Sequence, residues 1–154
     1  MRRFDFRLEG ILRYRSMIEE QRKMDLARET SLYERALKSL VEVQEKMAEV
    51  EGKLARKSAE GLTAAEARIH LRYLSFLREI ERERRRELEE ASKRLEEARR
   101  RLIESRRERK TIETLKERAY ELYLEELKRA ERKLIDEVAA NKIARSIADE
   151  RRLP

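Results

Sequence analysis

His70 is the natural first candidate for proton transfer or metal binding, because an imidazole titrates near neutrality and is a common metal ligand. It stands alone. The chain holds one histidine and no cysteine, so neither a histidine relay nor a thiolate metal site has a second member, and a solvated helix position is the better reading. The 33 Asp and Glu residues offer no acid–base pair that can be singled out, since carboxylates on a charged helix surface titrate near their ordinary values unless something buries them. A Gly-rich phosphate loop, the G-x-x-x-x-G-K-[ST] pattern and nucleophile motifs are all absent from the sequence. The expectation is a protein that is not an enzyme and uses no metal or cofactor. Basic clusters at Arg82 to Arg86, Arg99 to Arg101 and Arg106 to Lys110 could neutralise phosphates with release of counterions. Glu83, Glu87, Glu97, Glu104 and Glu108 are threaded among them. An acidic protein surface suits those charges at least as well, and nucleic acid is not the expected partner.

What must position these residues follows from composition. Charged residues make up 47% of the chain and aromatic residues 5%, which leaves too little bulky apolar matter for a globular interior. The apolar residues are mostly Leu, Ala and Ile in a helical rhythm, and three Gly with one Pro argue against disorder. The net charge is +7, and acids and bases alternate along the sequence. Pairs such as Glu19 with Lys23, Glu90 with Arg94 and Glu125 with Arg129 each support a helix by roughly 0.2 to 0.5 kcal/mol. Absence of cysteine agrees weakly with a reducing cytoplasm, and no stretch approaches the ~20 apolar residues of a membrane span. A soluble, unprocessed protein is expected.

The pattern predicts an all-α protein, two long helices forming an antiparallel coiled-coil hairpin in a single domain, the second helix longer and overhanging. Helix 1 is placed at about 8–57, the turn at about 58–63 and helix 2 at about 64–148. Gly61 can supply the positive φ of a reversal, and Thr63-Ala-Ala-Glu66 reads as a capping box with Leu62 as its apolar staple. The first seam is read through Ile11, Tyr14 and Ile18, then Leu26, Thr30, Tyr33, Leu37, Leu40, Gln44, Met47 and Leu54. The second runs through Ile69, Tyr73, Phe76 and Ile80, then Leu88, Ala91, Leu95, Ala98, Leu102 and Ser105. Each needs two successive steps of four, at Ile18-Arg22-Leu26 and at Ile80-Arg84-Leu88, a stutter that unwinds the supercoil locally. At 1.5 Å per residue the helices measure ~70 to 75 Å and ~130 Å, so pairing outward from the turn leaves the segment beyond about residue 112 uncovered, or covered only by residues 1 to 10. That overhang is read as a partner site, with a frayed, solvated helix as the other reading.

The order Arg109-Lys110, Glu113, Leu115, Lys116-Glu117-Arg118, then Glu131, Lys133 and Asp136-Glu137 resembles the C-terminal signature of the FliJ family of flagellar export proteins. Phe4, Phe6, Leu8, Leu12, Tyr14 and Arg15 resemble that family's N-terminal pattern. The resemblance implies a non-enzymatic cytoplasmic component of the flagellar type III export apparatus, peripheral at the membrane's cytoplasmic face. It implies a coiled coil like the central stalk of rotary ATPases, with FliH and export chaperones as further partners. Phe4, Phe6, Leu8 and Leu12 with Leu122, Leu127, Leu134 and Val138 would meet the ring of the export ATPase FliI. Tyr73, Leu77, Ile80 and Arg84 would meet the export-gate protein FlhA, although by spacing alone they read first as seam. Arg84 and the lack of aromatics on the facing part of helix 1 depart from the family. The equivalent stalk of a virulence-type secretion system and a generic coiled-coil tether are the alternatives.

Overall fold

A computed structural model describes residues 2–152. It contains α1 (Glu9–Glu60) and α2 (Ala64–Glu150), two long helices packed against each other, and no strand among the described residues. The chain reverses between them at Gly61, whose φ of 101° lies where a Cβ would be strained. Thr63 caps α2 as expected: the Glu66 amide donates to its hydroxyl at 3.2 Å and the Ala67 amide to its carbonyl at 3.0 Å. The helices fall into two compact units, one of residues 17–106 and one of residues 1–16 with 107–154.

The unit that contains the turn has a thin interior. The buried apolar residues are Leu40 and Val43 on α1 and Leu74, Leu77, Ala91, Leu95, Ala98 and Leu102 on α2. Cross-helix pairs fix the register, in which the α2 partner falls in number as the α1 residue rises. Glu19 pairs with Arg106 at 3.5 Å, Glu29 with Arg94 at 3.6 Å and Gln44 with Glu81 at 3.4 Å, and Lys57 Nζ lies 3.5 Å from His70 Nε2. This is an antiparallel ladder without slip.

The seam differs from the expected one in two places, for one reason. On α2 it runs back from Leu88 in strict steps of four and three through Arg84, Glu81, Leu77, Leu74 and His70. Leu74 and Leu77 are 3% exposed, while Ile69, Tyr73 and Phe76 are 68%, 45% and 56% exposed. On α1 the line passes through Glu19, Arg22, Leu26, Glu29, Tyr33, Ala36 and Leu40, leaving Leu37 on the outer surface. The heptad therefore continues where stutters were expected, and polar residues stand in the seam instead. They can do so because two helices leave each seam position open at its edge. Glu19, only 6% exposed, is met by Arg106 and by Lys23 at 3.9 Å. Arg84 lays its stem along the seam and donates from Nη1 to Glu87 at 3.1 Å.

In the other unit, residues before α1 have no regular structure until a turn at Arg7 and Leu8, where the Glu9 amide donates to the Phe6 carbonyl at 3.1 Å. This strap lies against α2. The Phe4 ring meets Tyr120 edge-on at 5.1 Å and Tyr123 at 5.4 Å, and the Tyr123 hydroxyl donates to the Arg2 carbonyl at 3.1 Å. Glu9 pairs with Lys116 at 2.8 Å, and Arg15 pairs with Glu108. Coverage ends near Leu127, and from Lys128 to Arg152 every residue is exposed. The expected overhang is thus present but shorter, because the strap covers its first turns.

Candidate partner-binding surfaces

No group of His, Cys, Asp and Glu among the described residues could hold a metal ion, and no helix of the described residues is long and apolar enough to cross a membrane. His70 sits half-buried at a seam position. Among the described residues, Glu81 is the carboxylate whose surroundings clearly shift its ionisation. Hydrogen bonds from Arg85 and Gln44 hold its pKa below the usual carboxylate value, with burial opposing, so it is ionised at neutral pH and serves as a cross-helix acceptor. The clefts along the helices are open grooves, several of them beside Phe4. What the molecule offers is surface.

The first surface is the uncovered end of α2. At 3.6 residues per turn, Leu127, Leu134 and Val138 share one side of the helix, Ile143 and Ile147 lie on the opposite side, and Ile135 falls between the two. All but the half-buried Leu127 are exposed. Charges such as Glu131, Lys133, Glu137 and Lys142 lie between. Apolar groups on two sides of a helix cannot all be covered by one partner helix.

The second surface is a flank of α2 just past the turn. Ile69, Tyr73, Phe76 and the half-buried Ile80 recur there at steps of four, three and four. Their spacing is the one first read as seam, and the displacement of the seam to Leu74 and Leu77 leaves them outside it.

The amino-acid sequence that builds these helices matches a known family pattern along nearly the whole chain. The family model for the flagellar FliJ protein aligns with residues 4–147. The chain belongs to the FliJ family. No curated protein and no solved structure gives a significant match. Membership makes it a component of flagellar export, in a family whose members are non-enzymatic.

The FliJ-like motif residues are not all brought together. Phe4 is half-buried between Tyr120 and Tyr123, and Phe6, Leu8 and Leu12 are half-buried as the strap enters α1. Leu122, Leu134 and Val138 are exposed on α2, with Leu127 at the edge of the covered part. The four residues of the second set are divided. Tyr73 faces solvent, Ile80 is half-buried, Leu77 packs in the seam, and Arg84 occupies a seam position with its guanidinium on Glu87. Ile143 and Ile147 were missed by sequence reasoning, although their spacing of four was a signal. Missed too was the sorting of charge: Glu83, Glu90, Glu97 and Glu104 form one row along α2, and Arg86, Lys93, Arg100 and Arg107 form the next. Acids and bases that alternate in the sequence are separated on the helix.

Proposed function

We propose that this FliJ-family protein acts as a central-stalk-like coiled coil at the cytoplasmic face of the membrane, binding the ring of the export ATPase FliI and coupling it to the export gate FlhA. One observation carries the reading. The uncovered end of α2 bears exposed Leu134 and Val138 on one side, Ile143 and Ile147 on the opposite side and Ile135 between them, so it suits an enclosing cavity better than a single helical partner. A ring's central opening encloses a helix on all sides. The exposed flank at Ile69, Tyr73 and Phe76 is a separate surface for the gate. FliH and export chaperones are further candidate partners, with no surface assigned to them.

The test adds the purified full chain to the cognate ATPase and follows oligomer size by mass photometry together with the rate of ATP hydrolysis. Wild type is expected to shift the ATPase toward the ring and raise its rate. The paired change Leu134→Glu and Val138→Glu, and separately Ile143→Glu and Ile147→Glu, should each abolish most of that effect, because both sides face the ring. Loss with one pair alone would indicate an ordinary two-helix contact, and no effect of the wild-type chain on either readout would leave a tether as the better account.

A further inference from the structure

Two rows of side chains border one edge of the helix pair in the unit that contains the turn. On α2 the row is Leu71, Arg78, Arg85, Ser92, Arg99 and Arg106, at intervals of seven. On α1 it is Lys23, Thr30, Leu37 and Gln44, at the same interval. Two contacts place them side by side. Gln44 and Arg85 both donate to Glu81 Oε1, at 3.4 and 2.7 Å, and Lys23, Thr30 and Arg106 line one cavity whose other walls include Ala27 and Leu102. Neither row contains an acid. A third row on α1, reached by steps of three and four from the second, is Ala27, Glu34, Val41 and Ala48. Leu37 and Val41 are each 40% exposed and Leu71 is 54% exposed. The edge is therefore a shallow groove in which Leu37, Val41, Ala27 and Ala48 of α1, interrupted by Lys23, Thr30, Glu34 and Gln44, face an α2 row with four arginines and no acid. It lies on the other flank of α2 from Tyr73 and Ile80.

We propose that this groove receives an acidic amphipathic helix from a partner protein, which packs as a third helix of the bundle. The occupant follows from the chemistry of the rows. Repeats of seven on both walls match the period of a helix and its apolar stripe, which would cover Leu37, Val41 and Leu71. Carboxylates flanking that stripe meet Arg78, Arg85 and Arg99, and charge complementarity of this kind selects the partner and its orientation. Arg78 makes no salt bridge among the described residues, Arg99 is engaged by solvent-exposed Glu96 on its own helix, and Arg85 holds the half-buried Glu81 while its guanidinium remains exposed. The exposed pair of Arg99 exchanges at little cost. A nucleic-acid duplex would satisfy the arginines but leave the aliphatic groups in water.

The test uses the full chain and a fluorescent probe peptide of about three heptads with Leu in its seam and Glu on both flanks, its twin with Lys for Glu, and a DNA duplex of roughly 20 base pairs. Fluorescence anisotropy reads binding, and circular dichroism reports that each variant keeps its helix content. The acidic peptide should bind saturably and the Lys twin should not. Arg78→Glu with Arg85→Glu, and independently Leu37→Lys with Val41→Lys, should each weaken binding about tenfold or more. Phe76→Lys, on the other flank, should leave it unchanged. Equal binding of the Lys twin, insensitivity to Leu37→Lys with Val41→Lys, loss with Phe76→Lys, or full displacement of the peptide by the duplex would each overturn the proposal, the last in favour of a general polyanion surface.

Discussion

Phe4→Ala isolates what holds the strap on α2. The ring makes two aromatic contacts, edge-on to Tyr120 and tilted on Tyr123, each worth about 0.5 to 1.5 kcal/mol beyond area burial. Their removal should cost the docked state about 1 to 3 kcal/mol, with further loss from the half-buried ring surface itself. At 1.4 kcal/mol per factor of ten, the undocked population should rise by roughly 5- to 100-fold. The amide of Glu9, bonded to the Phe6 carbonyl, and that of Leu12, bonded to the Leu8 carbonyl, report the junction of strap and helix. Under conditions where closing outpaces exchange, their hydrogen-exchange rates should rise by that factor. The amide of Ala67, bonded to the Thr63 carbonyl in the other unit, is the internal reference and should not change. Tyr123→Phe, which removes only the hydroxyl's bond to the Arg2 carbonyl, should have a smaller effect at the same two amides, because an exposed hydrogen bond contributes about 0.5 to 1.5 kcal/mol at most. Exchange at Glu9 and Leu12 within twofold of wild type in Phe4→Ala would refute the view that the aromatic contacts hold the strap.

Leu77→Ala should destabilise the chain by about 2 to 5 kcal/mol, whereas Phe76→Ala should stay within about 0.5 kcal/mol, although Phe is the larger side chain. Urea unfolding of the two variants checks this, and a reversed order would return the seam to Tyr73 and Phe76. Glu81 has its pKa depressed by Arg85 and Gln44, so its contribution is present above the unfolded carboxylate value near 4.3 and is lost as pH falls through the lower folded value. Thermal melts across that acid range should show a stability loss that Glu81→Gln reduces, and identical pH profiles for the two proteins would contradict the assignment.

The sequence made the two helices, the turn and the unequal arms legible because each has a local signature. Gly61 carries the positive φ, Thr63 caps the next helix, and apolar residues recur at helical spacing with no breaker elsewhere. The line of the seam was not legible by the same means. Near the turn two stripes compete, Ile69-Tyr73-Phe76-Ile80 and His70-Leu74-Leu77, and the first is the more aromatic. Apolarity alone chooses the wrong one. The choice is made by continuity with Leu88, Ala91 and Leu95, which are locked opposite α1 by pairs such as Glu29 with Arg94. To bury Tyr73 and Phe76 instead, the helix would have to absorb one residue more than a heptad between Ile80 and Leu88, while Glu81 and Arg84 sit in the seam with partners of their own.

The same contest between local character and distant register explains why the candidate surfaces were half seen. The strap lays Phe4 on Tyr120 and Tyr123, leaving Tyr123 half-buried, although in the sequence both look as available as Leu134. Leu77 looks as available as Tyr73, yet the register buries one and exposes the other. A polar residue is tolerated in a two-helix seam when its charged end reaches a mate, as Arg84 Nη1 does at Glu87 and Glu19 does at Arg106, even with Arg84 Nε buried and without a hydrogen-bond partner, so the chain can place charge inside and aromatic rings outside without losing the fold. Rings displaced from the seam in this way are no longer needed for stability. Substitution at Phe76 or Tyr73 should therefore damage association with a partner while leaving the melting temperature unchanged, a separation that neither a stability defect nor a purely structural role for these residues could produce.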